Sequence, residues 1–132
     1  MDNLKISIPG KPEYLTMIRL VSGSLASVAG FDVDCIEDIK TSIAEACKIV
    51  SCHGEEGFSD KYEIDCNIDK NYLDITVRDD CDMHSIEKIK KPCLHCPQEG
   101  DIGKIVIRSL MNEVEFGRDE KGHKFVKMVK KI

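Results

Sequence analysis

The sequence predicts an α+β protein: a two-layer sandwich with a mixed, mostly antiparallel sheet of about five strands and three helices on one face. Three observations carry this. Short segments alternate apolar and polar residues, as half-buried strands do. Longer segments repeat apolar residues every three or four positions, as amphipathic helices do. The segments run strand, helix, helix, two strands, helix, two strands, which places helices between hairpins rather than in a regular strand–helix alternation.

Each element has a local reason. Leu4, Ile6 and Ile8 alternate with Lys5 and Ser7, so residues 3–8 read as a strand with one buried face, ended by Pro9-Gly10. Pro12 suits the first position of a helix, with Glu13 in its first turn. Residues 12–29 carry Leu15, Ile18, Val21, Leu25 and Val28 at helical spacing, and Gly30 stops that helix. Asp32 is the expected N-cap of the next helix, which runs to about Cys52 with Gly54 just beyond. Tyr62, Ile64, Cys66 and Ile68, then Leu73, Ile75 and Val77, form a hairpin around Asp69-Lys70-Asn71. Residues 79–101 are polar, with Pro92, Pro97 and Gly100, and read as a functional lid. Ile102 to Met111 reads as a third helix. Val114–Gly117 and Lys124–Val129 form a second hairpin around Glu120-Lys121-Gly122, and Lys127, Lys130 and Lys131 read as protection of an edge strand.

Composition bounds the function. The 132 residues fit one domain, 1–132, and 42% hydrophobic with 33% charged residues excludes a disordered chain. Aromatics are only 5% and tryptophan is absent, so the core must be aliphatic. A net charge of −5 argues against direct nucleic-acid binding. No apolar run is long enough for a membrane span, and no signal peptide is visible, so a cytoplasmic location is expected. Seven cysteines, an odd count, read as reduced thiols rather than a disulfide framework. Cys35, Cys47, Cys52 and Cys66 fall at core-like or helical positions and read as small hydrophobes.

The second helix is unusual. Ile36, Ile39, Ile43, Ala46, Cys47 and Val50 fall on one stripe, the core face. Ser42, Glu45, Ile49 and His53 form a second stripe, rotated by roughly 90–120°. It reads either as a solvated edge with one stray apolar residue or as the lining of a pocket over the sheet.

This stripe and its surroundings resemble the anti-sigma factor serine-protein kinases of the GHKL (histidine kinase-like) ATPase superfamily, nearly end to end. Ile8-Pro9-Gly10-Lys11-Pro12-Glu13-Tyr14 looks like the family's entry to the first helix. Glu37 to Cys47 looks like its second-helix motif, and His53-Gly54 like that motif's end. Asp79-Asp80 stands where the family carries an Asp-x-Gly-x-Gly box, and Gly100-Asp101-Ile102-Gly103 stands where a glycine box precedes the third helix.

The resemblance implies a Bergerat fold with a nucleotide site between helices and lid. It implies that Glu45 is the general base toward a substrate serine, that Asp79 reads the adenine amino group, and that Gly100 and Gly103 line the phosphates. Ile49 takes the place of the asparagine that holds Mg²⁺, and it has no oxygen to offer a hard cation. Cys81 and Met83 replace the two glycines after Asp79, and a side chain there adds bulk under the adenine. Asp101 stands where a glycine is usual and would repel phosphate. The expectation is a degraded site for ATP or ADP, with weak, Mg²⁺-independent binding and inefficient phosphoryl transfer. Arg19 falls where the family uses an arginine to contact a sigma factor or its antagonist.

The lid carries a second pattern. Cys81-x-x-His84 and Cys93-x-x-Cys96 have the paired spacings of a tetrahedral Zn²⁺ site, which the family lacks. A Cys93–Cys96 redox pair and unliganded thiols are the other readings. Lys88, Lys90, Lys91 and Lys104 make the region locally basic, as solvated residues, a docking patch or a phosphate contact.

The function expected is an anti-sigma regulator that binds a sigma factor and/or an anti-anti-sigma protein, as a bacterial homodimer, with weak or lost kinase activity. The alternatives are an active serine/threonine protein kinase and a metal- or redox-responsive switch built on the lid.

Overall fold

The computed structural model describes residues 1–50, 61–79, 102–120 and 123–132. Its elements are β1 (Asp2–Pro9), a 3-10 turn (Pro12–Tyr14), α1 (Leu15–Ala29), α2 (Val33–Val50), β2 (Lys61–Asp69), β3 (Tyr72–Asp79), α3 (Ile102–Leu110), β4 (Glu113–Arg118) and β5 (Lys124–Lys131). The strands form one sheet in the order β1-β2-β3-β5-β4. All four pairings are antiparallel, so the expected mixed sheet is a wholly antiparallel one.

Alternation decides which side of the sheet meets the helices. Tyr62, Ile64, Cys66 and Ile68 of β2, Leu73, Ile75 and Val77 of β3, and Val126 and Met128 of β5 are all buried. They pack against Ile39, Ile43, Ala46, Cys47 and Val50, the predicted core stripe of α2. The outer face is polar: the Asn3 amide donates to Asp65 at 2.7 Å and to Asn67 at 2.8 Å, and the Ser7 hydroxyl donates to Glu63. β1 is an edge strand, and its burial tapers from Ile8, which is buried, to Leu4, which is exposed.

Helix α1 departs from its predicted face. Ile18 is buried, but so are Ser22, Ala26 and Ala29, whereas Val28 is 72% exposed. The reason is close packing on α2. A Cβ on Gly23 would stand 3.1 Å from the Lys40 side chain, so small residues occupy the contact and larger aliphatics flank it. The Gly30 stop holds: its φ is 94°, and Gly30 and Phe31 donate to the carbonyls of Ser27 and Ala26, the Schellman pattern. The predicted helix start at Pro12 is a 3-10 turn, with the α-helix proper beginning at Leu15.

Two further ends are fixed by hydrogen bonds. The Asp32 carboxylate accepts from the Cys35 backbone at 2.9 Å, which confirms the N-cap and holds the Asp32 carboxyl below its usual pKa. The β2–β3 turn places Asn71 at φ 56°, a conformation that asparagine tolerates, and its N–H donates to the Ala29 carbonyl at 2.7 Å.

The tail lysines are not edge protection. β5 lies between β3 and β4, paired on both sides. Lys130, largely buried, donates from Nζ to the Leu110 carbonyl at the end of α3 and lies 3.3 Å from an Asp38 oxygen on α2. It ties two helices to the sheet. Lys131 pairs with Glu113 across the β4–β5 ladder.

Candidate functional site

The second stripe of α2 is covered by the first turn of α3. A Cβ built on Gly103 would stand 3.1 Å from Glu45 Oε2 and 3.7 Å from two Ile49 side-chain carbons. A glycine therefore lets α3 settle onto these two residues. The described part of the stripe is not a fully solvated edge: Glu45 and Ile49 are half-buried, and Ser42, one turn earlier, is fully buried. The Ser42 hydroxyl has no hydrogen-bond partner among the described residues. Glu45 Oε1 lies 3.5 Å from Lys48 Nζ, and its side chain keeps about a quarter of its surface exposed (28%).

Ile49 also lines a cavity of about 200 Å³, whose other walls are Lys104 of α3, Phe116, Gly117 and Arg118 of β4, and Lys124 and Phe125 of β5. The hairpin packs in an unusual way here. Gly117 pairs with Phe125 across the strands, and a Cβ on Gly117 would come within 2.9 Å of the Phe125 ring, so only glycine lets that ring lie against the backbone. Phe116 carries two cations, Lys104 Nζ at 5.1 Å and Arg108 Cζ at 5.0 Å from the ring centre. Lys124 is 8% exposed, and burial pushes its ammonium down to about 8. At the hairpin's end, Asp119 lies 3.6 Å from both Arg78 Nε and His123 Nδ1.

The structure thus brings Glu45, Ile49 and Gly103 together and leaves Arg19 apart. Arg19 is on the exposed face of α1, next to exposed Leu20 and near Met17, and is not among the cavity's lining residues. Asp79 ends β3 opposite Tyr62; its side chain lies outside the description. His53, Gly100 and the lid residues Cys81, His84, Cys93 and Cys96 lie outside the described residues. Among the described residues no cluster of three metal-ligating side chains occurs. Among the described residues Cys35, Cys47 and Cys66 form no disulfide, and burial pushes the thiols of Cys47 and Cys66 up to about 12.

Sequence reasoning missed Phe116, Arg118, Lys124 and Phe125. One signal was present. Lys124 shares its strand face with Val126 and Met128, and a lysine in register with buried apolar residues points inward.

A Mg²⁺ ion does not fit at Ile49. The residue offers only carbon, both toward Gly103 and toward the cavity it lines, and carbon cannot ligate a hard cation.

Comparison with known proteins agrees with this architecture. The histidine kinase-like ATPase domain family matches residues 8–130. The serine-protein kinases RsbW of Bacillus thuringiensis (strain Al Hakam) and Bacillus cereus (strain 03BB102) are each 31% identical over 128 residues, covering 90% of this chain and 79% of theirs. The solved structure of the RsbU and RsbW domains of Rv1364c from Mycobacterium tuberculosis superposes with a TM-score of 0.68 at 14% identity, which speaks to the fold alone. That match covers 99% of this chain and 32% of the other, so this chain spans about a third of its length. No helix among the described residues is long and apolar enough to cross a membrane. With a family match over nearly its whole length and relatives at this identity, the chain belongs to the histidine kinase-like ATPase family.

Proposed function

We propose that this protein is an anti-sigma regulator of the serine-protein kinase type that acts by binding a sigma factor and/or an anti-anti-sigma protein, with phosphoryl transfer weak or lost. One observation carries the second half of this reading. The α2 stripe keeps Glu45 but presents Ile49 one turn later, packed under Gly103, at the position from which an oxygen would hold the metal. Phosphoryl transfer depends on positive charge held against the transferring group, and an isoleucine supplies none. Similarity to the RsbW kinases supports the first half. Arg19 is the partner contact in this reading, on an exposed helix face flanked by exposed apolar side chains. The protein acts as a homodimer in the bacterial cytoplasm.

Retention of Glu45 favours a second reading, the active kinase. A carboxylate with part of its surface free, beside the start of α3, could take a serine proton. The two readings separate in one assay. Protein incubated with Mg-ATP and an anti-anti-sigma protein from its host is expected to form a complex without transferring label to serine. Turnover at a rate that falls on Glu45→Gln would establish the kinase. Ile49→Asn alone is expected to restore little, because Cys81 and Met83 remain in place of the two glycines.

A further inference from the structure

We infer that Lys124 is a modification site for carbon dioxide: its amine, on the wall of the cavity between α3 and the β4–β5 hairpin, takes up CO₂ as a carbamate. This goes beyond the proposed function and does not depend on it.

The first support is where the strand puts the lysine. Lys124 shares the inner face of β5 with Val126 and Met128, and only 8% of its surface is exposed. A lysine ordinarily snorkels to keep its ammonium in water. Here burial disfavours the charged form and pushes it down to about 8. About a tenth of the amine is then neutral at pH 7, against about one part in 2,500 for a lysine with the ordinary value of about 10.4. The neutral form alone has the lone pair that a nucleophile needs. It also keeps two of the three N–H donors of the ammonium, so a hydrogen bond donated to a neighbour does not block the step.

The second support is the cavity. It measures about 200 Å³, and Ile49, Phe116 and Phe125 line it together with Lys124. Walls rich in carbon suit a small uncharged molecule. A water molecule's share of the liquid is about 30 Å³, so the space admits CO₂ with room for the added group to turn. CO₂ also brings no leaving group that would have to be held or expelled.

The third support is what the product meets. The lone pair of Lys124 Nζ attacks the carbon of CO₂ and forms a C–N bond. One C–O π bond opens onto its oxygen, and the nitrogen gives its proton to water. The product is an N-carboxylate, an anion where an amine stood. Lys104 of α3 lines the same cavity, its ammonium held 5.1 Å from the Phe116 ring centre. An ammonium beside a new carboxylate, in a space poor in water, favours the anion and so the adduct.

The test is chemical trapping on the full chain. Protein equilibrated with carbon-13-labelled bicarbonate near neutral pH is treated with triethyloxonium, which alkylates a carbamate to a stable urethane, and peptide mass spectrometry locates the label. Lys124 is expected to carry it about tenfold or more above Lys70 of the β2–β3 turn, as the difference in neutral amine requires. Carbon-13 NMR of the same sample is expected to show a carbamate signal that Lys124→Arg removes. A thermal melt verifies that this variant folds, and trapping on the unaltered chain does not depend on it. Lys104→Gln is expected to lower the occupancy of Lys124 about fivefold at the same CO₂ pressure, through loss of a neighbouring positive charge. No label at Lys124, equal label at Lys70, or an occupancy that Lys104→Gln leaves unchanged would overturn the inference.

Discussion

Substitution of Lys130 by Met should destabilise this domain far more than a surface lysine change does, and should do so through α3. The helix has nine residues, too few to persist without tertiary support. Lys130 supports it from below: its ammonium donates to the carbonyl of Leu110, the last residue of the helix, and lies 3.3 Å from Asp38. Its side chain is 14% exposed and that of Asp38 34%. A hydrogen bond from a charged donor contributes about 1.5–3 kcal/mol. The ion pair adds about 0.5 kcal/mol once solvent screening at Asp38 is allowed for. Methionine preserves the apolar stem, so packing is largely kept. The expected loss is about 2–3 kcal/mol, or roughly 6–12 °C in Tm for a domain of this size. Urea melts of wild type, Lys130→Met and Asp38→Asn measure it, and hydrogen exchange locates it at the α3 amides. Asp38→Asn should cost only about 0.5 kcal/mol. A Lys130→Met loss under about 0.5 kcal/mol would refute the argument. Equal losses in the two variants would show that the ion pair, and not the helix-end contact, supports α3.

Ser42→Ala should leave the fold intact and raise stability by about 1 kcal/mol in the same melts, since it removes a buried hydroxyl that has no hydrogen-bond partner among the described residues. Arg19→Ala should weaken binding of the sigma factor or antagonist about thirtyfold, the loss of a roughly 2 kcal/mol anchor, while stability changes by under about 0.5 kcal/mol; equal affinity in competition would remove Arg19 from the interface. Stability should depend on pH in two opposite steps. Lys124 has a folded pKa of about 8 against an ordinary 10.5, so the unfolded chain binds more protons and stability rises from about pH 8 upward. Cys47 and Cys66 have folded values of about 12 against an ordinary 9.0, so stability falls as pH passes 9, where the unfolded thiols ionise and the folded ones do not. Denaturant melts across pH 7–11 should therefore show a maximum near pH 9, and Lys124→Gln should abolish the rise but not the fall.

The elements of this protein are written in local pattern. Alternation in β2 and β3, the Asp32 cap, the Gly30 stop and the core stripe of α2 each follow from neighbours within a few residues, and backbone geometry obeys such rules before any tertiary contact forms. The family was legible too, because its motifs are strung along the chain in fixed order. What pattern alone left open was everything decided by residues far apart in sequence. Whether Glu45 and Ile49 face water depends on where Gly103 lands, more than fifty positions later. The placing of β5 between β3 and β4 turned Lys130 from an apparent edge guard into a tie between α2, α3 and the sheet. The tight seat of α1 on α2 moved its buried face to Ser22, Ala26 and Ala29, against the rank of hydrophobicity. The cationic cavity arises only when α3 and the β4–β5 hairpin meet, since Lys104, Arg118 and Lys124 have no shared spacing that a pattern could reveal. Periodicity reports which side of an element is apolar; only packing decides what stands opposite it.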